Sequence, residues 1–383
     1  MIVNSRAAVS RRKVSFVAAG LRTAACLALI AGSTVAARAA ETTGSTPNDT
    51  ARILAGLAPA PGSDLQRLTR TPAFQQYARE FTQSWDRLET TQLGKVRDWT
   101  ARQMPPGQQT LFYFFSGPDF LYANAFFPRA TTYVMSGLEP VGPIPRATET
   151  NIRSLPQLRG SLNTVMNTSF FRTVEMRARF VNGAFTGTLP ILYIFLARSG
   201  KTVEETTLVS LDEAGREVPA GSSTARPSIN GAKIVFTGDD QVRRTLYYFQ
   251  TDVSNRGASV DQLLAFGRGL GQGDGLIKSA SYLLHNDSFS KVREFLLANT
   301  RTLLQDDSGI PVRHFGANEW NLQARGRYAG PISLFAGHHQ SRLTDLYRVQ
   351  RPEQLPFGVG YRFRPTESSL LLATTKRIET VAR

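Results

Sequence analysis

Acidic and hydroxyl side chains in this sequence recur just after short apolar stretches. The six side chains at such positions are Ser116, Asp119, Glu139, Asp306, Asp307 and Ser308. Carboxylates brought together can bind a hard cation, or one can act as a base while another acts as an acid. The alternative is structural: Asp119 would cap a helix, and residues 306–309 would form only a turn.

Lysine and histidine side chains add to this candidate site. His285 ends an apolar run and is the best candidate for a general base, with a structural histidine as the alternative. Lys278 follows a glycine-rich stretch, residues 269–275, but no glycine directly precedes it, so the segment is not a phosphate-binding P-loop. We predict that Lys278 contacts a ligand together with Ser116 and Ser308.

The adjacent pair His338 and His339 could contribute to a metal site. Neighbouring side chains on a strand point to opposite faces, and the sequence has no third ligand at a suitable spacing. The chain also lacks the G-x-S-x-G serine motif and the H-E-x-x-H zinc motif. We therefore predict no cofactor, and a divalent metal held by the acidic residues remains the alternative.

Hydrophobic patterns place the acidic residues at the ends of strands. Residues 111–115 and 132–135 predict short buried strands, with a helix over 120–127 between them. A strand, a helix and a strand within about thirty residues indicate a βαβ crossover with parallel strands. A similar arrangement leads to Asp306, which suggests a duplicated unit, with chance similarity as the alternative. Ligands bind beyond the carboxyl ends of parallel strands, so we expect Asp119 and Asp306 to meet at one edge.

The rest of the chain completes a mixed α/β prediction. Aromatic residues at three- to four-residue spacing over 74–99 indicate an amphipathic N-terminal helix or helix pair. An antiparallel meander is predicted in the middle, including a strand at 189–197 and a hairpin at Asn182-Gly183. We expect either one large domain or two βαβ lobes. The boundaries are 61–383 for one domain, or about 104–172 and 255–383 for lobes joined by 173–254.

The N-terminal residues have the layout of a bacterial export signal. Basic residues around Arg11 and Arg12 precede an apolar stretch, residues 23–35, that is too short to cross a bilayer. Ala37-Arg38-Ala39 then supplies a small-x-small cleavage site, and residues 40–60 predict a flexible tether. The protein is expected to be periplasmic or secreted, through either the twin-arginine or the general secretory route.

Composition limits the classes of partner that the exported chain is expected to bind. Cys26 is the only cysteine and lies inside the predicted signal, so the mature chain would have no thiol. The signal holds six basic and no acidic residues, so cleavage lowers the formal charge from +15 to +9. Scattered basic residues favour a solvated surface, with adhesion to an anionic envelope surface as the alternative. Export disfavours nucleic acid, and no mature apolar run is long enough for a transmembrane helix.

Several short segments resemble parts of an uncharacterised group of exported bacterial proteins. They are residues 115–123, 137–142, 278–283, 305–311 and 355–361. The resemblance spans roughly residues 110–373 and implies export, but it implies no activity.

Three functions are compatible with these features. The leading hypothesis is a binding or accessory module of the cell envelope, with an acidic pocket at the strand-end loops for a small molecule or a glycan. The second is a hydrolase of an envelope substrate, metal-assisted or not, that uses the same acids with the help of His285. The third is a structural docking partner of another envelope protein.

The export signal can be tested on the protein itself. We predict that a periplasmic fraction contains a chain that begins at Ala40, as measured by intact mass and N-terminal sequencing. The double variant R11K/R12K should remain in the cytoplasm under the twin-arginine route, whereas general secretion would still export it. A chain that retains Met1 and never leaves the cytoplasm would contradict the prediction of export.

Overall fold

The computed structural model describes residues 45–168, 184–222 and 228–376. The strands in these ranges form a ten-stranded mixed sheet. The strands are β1 (Thr110–Tyr113), β2 (Thr132–Gly137), β3 (Thr202–Leu211), β4 (Glu217–Pro219), β5 (Asn230–Thr237), β6 (Arg243–Gln250), β7 (Gly273–Ile277), β8 (Thr300–Gln305), β9 (Trp320–Gly326) and β10 (Ser369–Thr375). Their order across the sheet is β4-β3-β5-β6-β2-β1-β7-β8-β10-β9.

The centre of the sheet is parallel and both flanks are antiparallel. Strands β6, β2, β1, β7 and β8 run in the same direction, while β5 and β10 pair with the two outer members in the opposite direction. Every residue of β1 and β7 is buried, as expected for parallel strands covered on both faces. The carboxyl ends of β2, β1, β7 and β8 therefore lie side by side at one edge.

Helices cover both faces of this sheet. They are α1 (Pro47–Leu54), α2 (Pro72–Leu88), α3 (Gly94–Gln103), α4 (Phe120–Phe126), α5 (Leu155–Thr168), α6 (Leu189–Arg198), α7 (Val260–Gly269), α8 (Ser290–Asn299) and α9 (Ser341–Gln350). Because side chains alternate along a strand, Leu111 and Tyr113 join the core under α1 to α6, whereas Phe112 joins the core under α7 to α9. None of the helices in the described ranges combines the length and the apolar character needed to span a membrane.

The mixed α/β fold class is confirmed, and one continuous sheet contains both predicted βαβ lobes. The unit β1–α4–β2 pairs in parallel with the unit β7–α8–β8 through β1 and β7. The duplication of this unit stays a prediction. In the middle of the sequence, strands β3, β5 and β6 form the predicted antiparallel meander, which makes up one flank of the sheet. The predicted hairpin at Asn182-Gly183 lies outside the described residues.

Two local predictions need correction. Residues 189–197 form most of helix α6 rather than a strand, and all of them are buried. A wholly apolar run cannot distinguish a buried helix from a buried strand, and α6 packs against α1 and α4. The segment predicted as a flexible tether, residues 40–60, contains α1 instead. Thr46 and Asp49 form a capping box that begins this helix, and its Leu54 is fully buried.

Helix α2 shows how sequence spacing produces a buried face. Thr71 caps it, since its hydroxyl accepts a hydrogen bond from the backbone N–H of Phe74 at 3.3 Å, and Pro72 occupies the first helical position. Its buried side chains are Phe74, Tyr77, Phe81, Trp85 and Leu88. They recur every three or four residues, so they form one buried stripe that joins the hydrophobic core.

Candidate functional site

A buried ion pair joins the loops that follow β1 and β7. The Lys278 Nζ lies 3.0 Å from the Asp119 Oδ2, and the two side chains are only 2% and 1% exposed. The Tyr113 hydroxyl donates to the same carboxylate oxygen at 2.9 Å. The backbone N–H of Tyr122 donates to the Asp119 Oδ1 at 3.3 Å, so this carboxylate also caps α4. Asp119 thus performs the structural role considered from the sequence and forms an ion pair as well.

The electrostatics of this pair depend on burial. Burial raises the pKa of Asp119 above its usual value, while the Lys278 ammonium and the Tyr113 hydroxyl oppose that shift. Burial, together with the Asp119 charge, holds the pKa of Tyr113 well above its usual value. Tyr113 is therefore a hydrogen-bond donor at neutral pH, and both oxygens of Asp119 are engaged within the protein.

Asp306 fixes the loop after β7 from the end of β8. Its Oδ2 accepts a hydrogen bond from the backbone N–H of Ser279 at 2.7 Å, and its Oδ1 accepts from the N–H of Ser308 at 2.9 Å. The Ser308 hydroxyl donates to the Asp306 Oδ1 and accepts from the N–H of Ala280 at 2.7 Å. Gly360 has φ +72°, and a Cβ there would lie 2.5 Å from the Asp306 Oδ2, so the carboxylate needs glycine beside it.

The loop held by Asp306 has an unusual backbone conformation. Ser279, Ser281 and Tyr282 have φ values of 53°, 51° and 55°, in the left-handed region. Each such non-glycine residue costs on the order of 1–3 kcal/mol, which surrounding contacts must offset. The Tyr361 hydroxyl supplies two of these contacts: it donates to the Ser279 carbonyl at 2.8 Å and accepts from the N–H of Ser281 at 2.9 Å.

Asp307 lies between this buried network and solvent. The buried Tyr282 donates its hydroxyl proton to the Asp307 Oδ2. Burial and then the neighbouring Asp306 charge raise the pKa of Asp307 to about 7. Its side chain and Gln340 border a gap between side chains that is too small to hold a water molecule. Asp307 is therefore a partly exposed carboxyl group that changes its protonation near neutral pH.

His285 belongs to an aromatic cluster above the strained loop. Its ring lies 5.2 Å from the ring of Tyr282 and 5.1 Å from that of His338, centroid to centroid, and His338 stacks on Tyr282. Burial, then the nearby His338 and Arg313, lower the pKa of His285 to about 4. The imidazole of His285 is consequently neutral at pH 7.

A cavity of about 450 Å³ opens beside this cluster, and we refer to it as the basic cavity. Its lining residues are His285, Asn286, Pro311, Arg313, Gly337, His338, His339, Gln340, Ser341 and Arg342. No carboxylate occurs among these described lining residues, and the side chains of Arg313 and Arg342 are exposed. Arg313 is oriented by donating to the His285 carbonyl at 3.3 Å. The cavity thus presents two guanidinium groups to solvent.

Two predicted site residues belong to a different part of the edge. The Ser116 hydroxyl donates to the carbonyls of Gly117 and Ser136, at 2.7 and 3.2 Å. Glu139 is 2% exposed, and Tyr248 on β6 donates to its backbone carbonyl at 3.0 Å and to its Oε2 at 3.4 Å. Ser116 therefore connects the end of β1 to β2, and Glu139 connects the end of β2 to β6. The remaining acids, Lys278 and Ser308 are grouped around β1, β7 and β8; these acids are Asp119, Asp306 and Asp307.

The metal alternative finds no support in the described part of the chain, where no three His, Cys, Asp or Glu side chains are arranged to hold an ion. His338 and His339 instead stack on tyrosine rings, those of Tyr282 and Tyr328. The residues that the sequence did not single out are Tyr282, Arg313, Gln340, Arg342 and Tyr361. Tyr282 and Tyr361 had a signal, since they lie in the segments 278–283 and 355–361 that resemble parts of exported bacterial proteins.

Comparisons of the chain with protein-family models, with curated proteins and with solved structures found no match. The resemblance to exported bacterial proteins therefore stays a prediction, and the geometry of the site carries the functional argument.

The buried ion pair can be tested by removing one partner. At pH 7, Lys278→Met should lower the free energy of unfolding by about 3–5 kcal/mol, because Asp119 is left charged and buried. Without Lys278 the pKa of Asp119 in the folded state rises further above its unfolded value, so the folded variant binds the proton more tightly. The loss should therefore shrink as the pH falls toward about 4. Urea unfolding across this pH range measures it.

The matched control is the double variant K278M/D119N. The amide side chain introduced by D119N would retain an oxygen for the Tyr122 N–H but carry no charge, so the extra dependence on pH should disappear. A single variant that costs less than about 1 kcal/mol, the range of exposed ion pairs, would show that the pair does not hold the two loops together.

Proposed function

We propose that the protein is a binding or accessory module that holds an anionic small molecule or an acidic glycan in the basic cavity. The observation that carries this proposal is the pairing of Arg313 and Arg342 around a cavity of about 450 Å³, with no carboxylate among the described lining residues. Cavities of roughly 300–1,000 Å³ are of the size that binds small ligands.

The chemistry of the lining suits an oxyanion. A guanidinium group is planar and always charged, and it binds a carboxylate, sulfate or phosphate through two parallel hydrogen bonds. Gln340, Asn286 and Ser341 add neutral polar groups that can contact ligand hydroxyls. His285 is neutral at pH 7, with its pKa lowered to about 4, so the positive charge of the cavity comes mainly from the arginines.

The proposed pocket is basic, whereas the prediction made from the sequence was an acidic pocket. The sequence favoured an acidic pocket, but Asp119 and Asp306 are 1% and 2% exposed and bond to the protein itself. Buried carboxylates that already have donors gain little from a ligand. In this proposal the buried acids Asp119 and Asp306 hold the loops of the site in place, and the exposed Arg313 and Arg342 bind the ligand. The predicted export would place such a cavity among anionic envelope polymers.

We predict that the double variant R313A/R342A binds galacturonate and inorganic phosphate at least about tenfold more weakly than the unchanged protein, a loss of about 1.4 kcal/mol. Isothermal titration calorimetry measures the affinity, and ligand-dependent stabilisation in thermal unfolding gives a second readout. Glucose, which has no charge, should bind to neither protein.

The control R87A/R102A removes two exposed charges from α2 and α3, far along the chain from the cavity. It should bind these anions as the unchanged protein does. Equal weakening in both double variants would mean that net charge alone attracts anions, and the proposed site would be rejected.

A hydrolase acting on the bound anion is the second candidate, and Asp307 favours it. Its backbone carbonyl accepts a hydrogen bond from Gln340, which lines the basic cavity, and burial raises the pKa of its carboxyl group to about 7. A general base with a pKa near the working pH is the most effective one. Asp307 would take a proton from water, and the hydroxide would attack the anomeric carbon of the bound glycoside as the bond from that carbon to the leaving oxygen breaks. The proton held by Asp307 would then pass through solvent to the leaving group.

Under this second candidate, hydrolysis of p-nitrophenyl glucuronide should rise with pH and reach half its maximum near pH 7, where Asp307 loses its proton. Asp307→Asn should remove the hydrolysis while the affinity for galacturonate stays within about twofold, a difference below about 0.5 kcal/mol. Release of nitrophenol by D307N at the original rate would exclude Asp307 as the base.

A further inference from the structure

A second cavity rich in arginine lies along the same helix as the basic cavity. It has a volume of about 440 Å³. Its lining residues are Gly326, Arg327, Tyr328, Thr344, Tyr347, Arg348, Arg351, Pro352, Gln354 and Thr366. The basic cavity uses the first residues of α9, Ser341 and Arg342, and the second cavity uses its last turns. One short helix thus contributes to two cationic cavities.

The two cavities share a wall. His339 lines the basic cavity and Tyr328 lines the second one, and their rings stack with centroids 5.9 Å apart. The Thr344 hydroxyl, in the second cavity, lies 3.1 Å from the His339 Nε2, and the backbone N–H of Gln340 donates to the Tyr328 hydroxyl at 3.1 Å. The residues that line the two cavities therefore contact one another across this wall.

The charged residues that line the two cavities are positively charged. Arg313 and Arg342 lie at one end, and the arginines at the other end are Arg327, Arg348 and Arg351. Neither set of described lining residues contains Asp or Glu. The nearest acid on α9 is Asp345, which pairs with Arg348 at 3.0 Å while both remain largely exposed. Asp345 therefore neutralises part of the second cavity without closing it.

We propose that the ligand is a linear acidic polysaccharide that runs across α9, with one charged unit in each cavity. This inference rests on the proposed function and names its ligand class. Arg342 and Arg351 are separated by nine residues, or about 13 Å along a helix axis, which is farther than one sugar ring reaches. Half-buried rings of Tyr328 and His338 offer flat apolar surfaces for the C–H faces of sugars, beside arginines for their carboxylates.

Chain length is the property that separates this ligand from a single anion. Once an oligomer reaches both cavities, the second contact becomes intramolecular, and the affinity should rise by about 100-fold or more. We would titrate the protein with galacturonate and with oligogalacturonates of two to six units, using calorimetry. The expected result is a steep gain in affinity at the length that first spans the wall, rather than a constant affinity per unit.

Variants of the second cavity provide the matched test. R348A/R351A should lose the gain with chain length and keep the affinity for the monomer, because Arg313 and Arg342 remain. Asp345→Asn should increase the affinity for the hexamer, since it removes the one carboxylate paired with Arg348. All three positions are exposed, so thermal unfolding and circular dichroism should show folded proteins. Binding of the six-unit oligomer is then compared at equal concentration with its binding to R87A/R102A.

Two failures can be told apart. If the monomer depends on Arg313 and Arg342 but six units bind no better than one, the polysaccharide inference is overturned and the proposed function survives. If no anion depends on Arg313 and Arg342, both are overturned. Polyphosphate or single-stranded DNA of equal charge binding as tightly as the hexamer, with the same dependence on R348A/R351A, would also overturn the polysaccharide assignment.

Discussion

The ion pair between Lys278 and Asp119 is the constraint on which the rest of the site depends. Two charges removed from water are stable only when each has a close and well-oriented partner, so the loops after β1 and β7 are held at one separation. That separation fixes the position of the chain just after β7. Ser279, Ser281 and Tyr282, the three residues with a left-handed backbone conformation, follow directly. Asp306 and Tyr361 then hold those residues, and Tyr282 carries the ring against which His285 and His338 pack.

The parallel centre of the sheet explains why these groups meet at all. Asp119 and Asp306 are far apart in the chain, yet β1, β7 and β8 are neighbours and end at the same edge. This much could be predicted from the sequence, because short buried strands followed by polar turns have a recognisable pattern. The pattern did not distinguish which acids would face a ligand. Burial decides which acids can face a ligand. It depends on contacts that the sequence does not show, such as the hydrogen bond from Tyr113 to Asp119 and the space that Gly360 leaves beside Asp306.

The parts that sequence reasoning missed share a physical cause. Helix α6 has no polar face, so its period could not be read, and α1 is short enough to look like a tether between loops. The basic cavity combines Arg313, His338 and His339 from the irregular segments between β8 and α9 with Arg342 on α9 and with His285, which follows β7. Scattered arginines are usually only a solvated surface, and nothing in their spacing shows that two of them border one cavity.

The site therefore has two layers with different physical roles. In the lower layer, buried acids, Lys278 and tyrosines satisfy one another, so changes there act first on the stability of the fold. In the upper layer, exposed arginines contribute little to stability and, in the proposed function, attract and orient an anion. Asp307 connects the two layers, because its carboxylate accepts a hydrogen bond from Tyr282 and its backbone carbonyl accepts one from Gln340, which lines the basic cavity. Because the two layers are separate, the surface charges of the loops proposed to bind a ligand can change without disturbing the buried pair of Lys278 and Asp119.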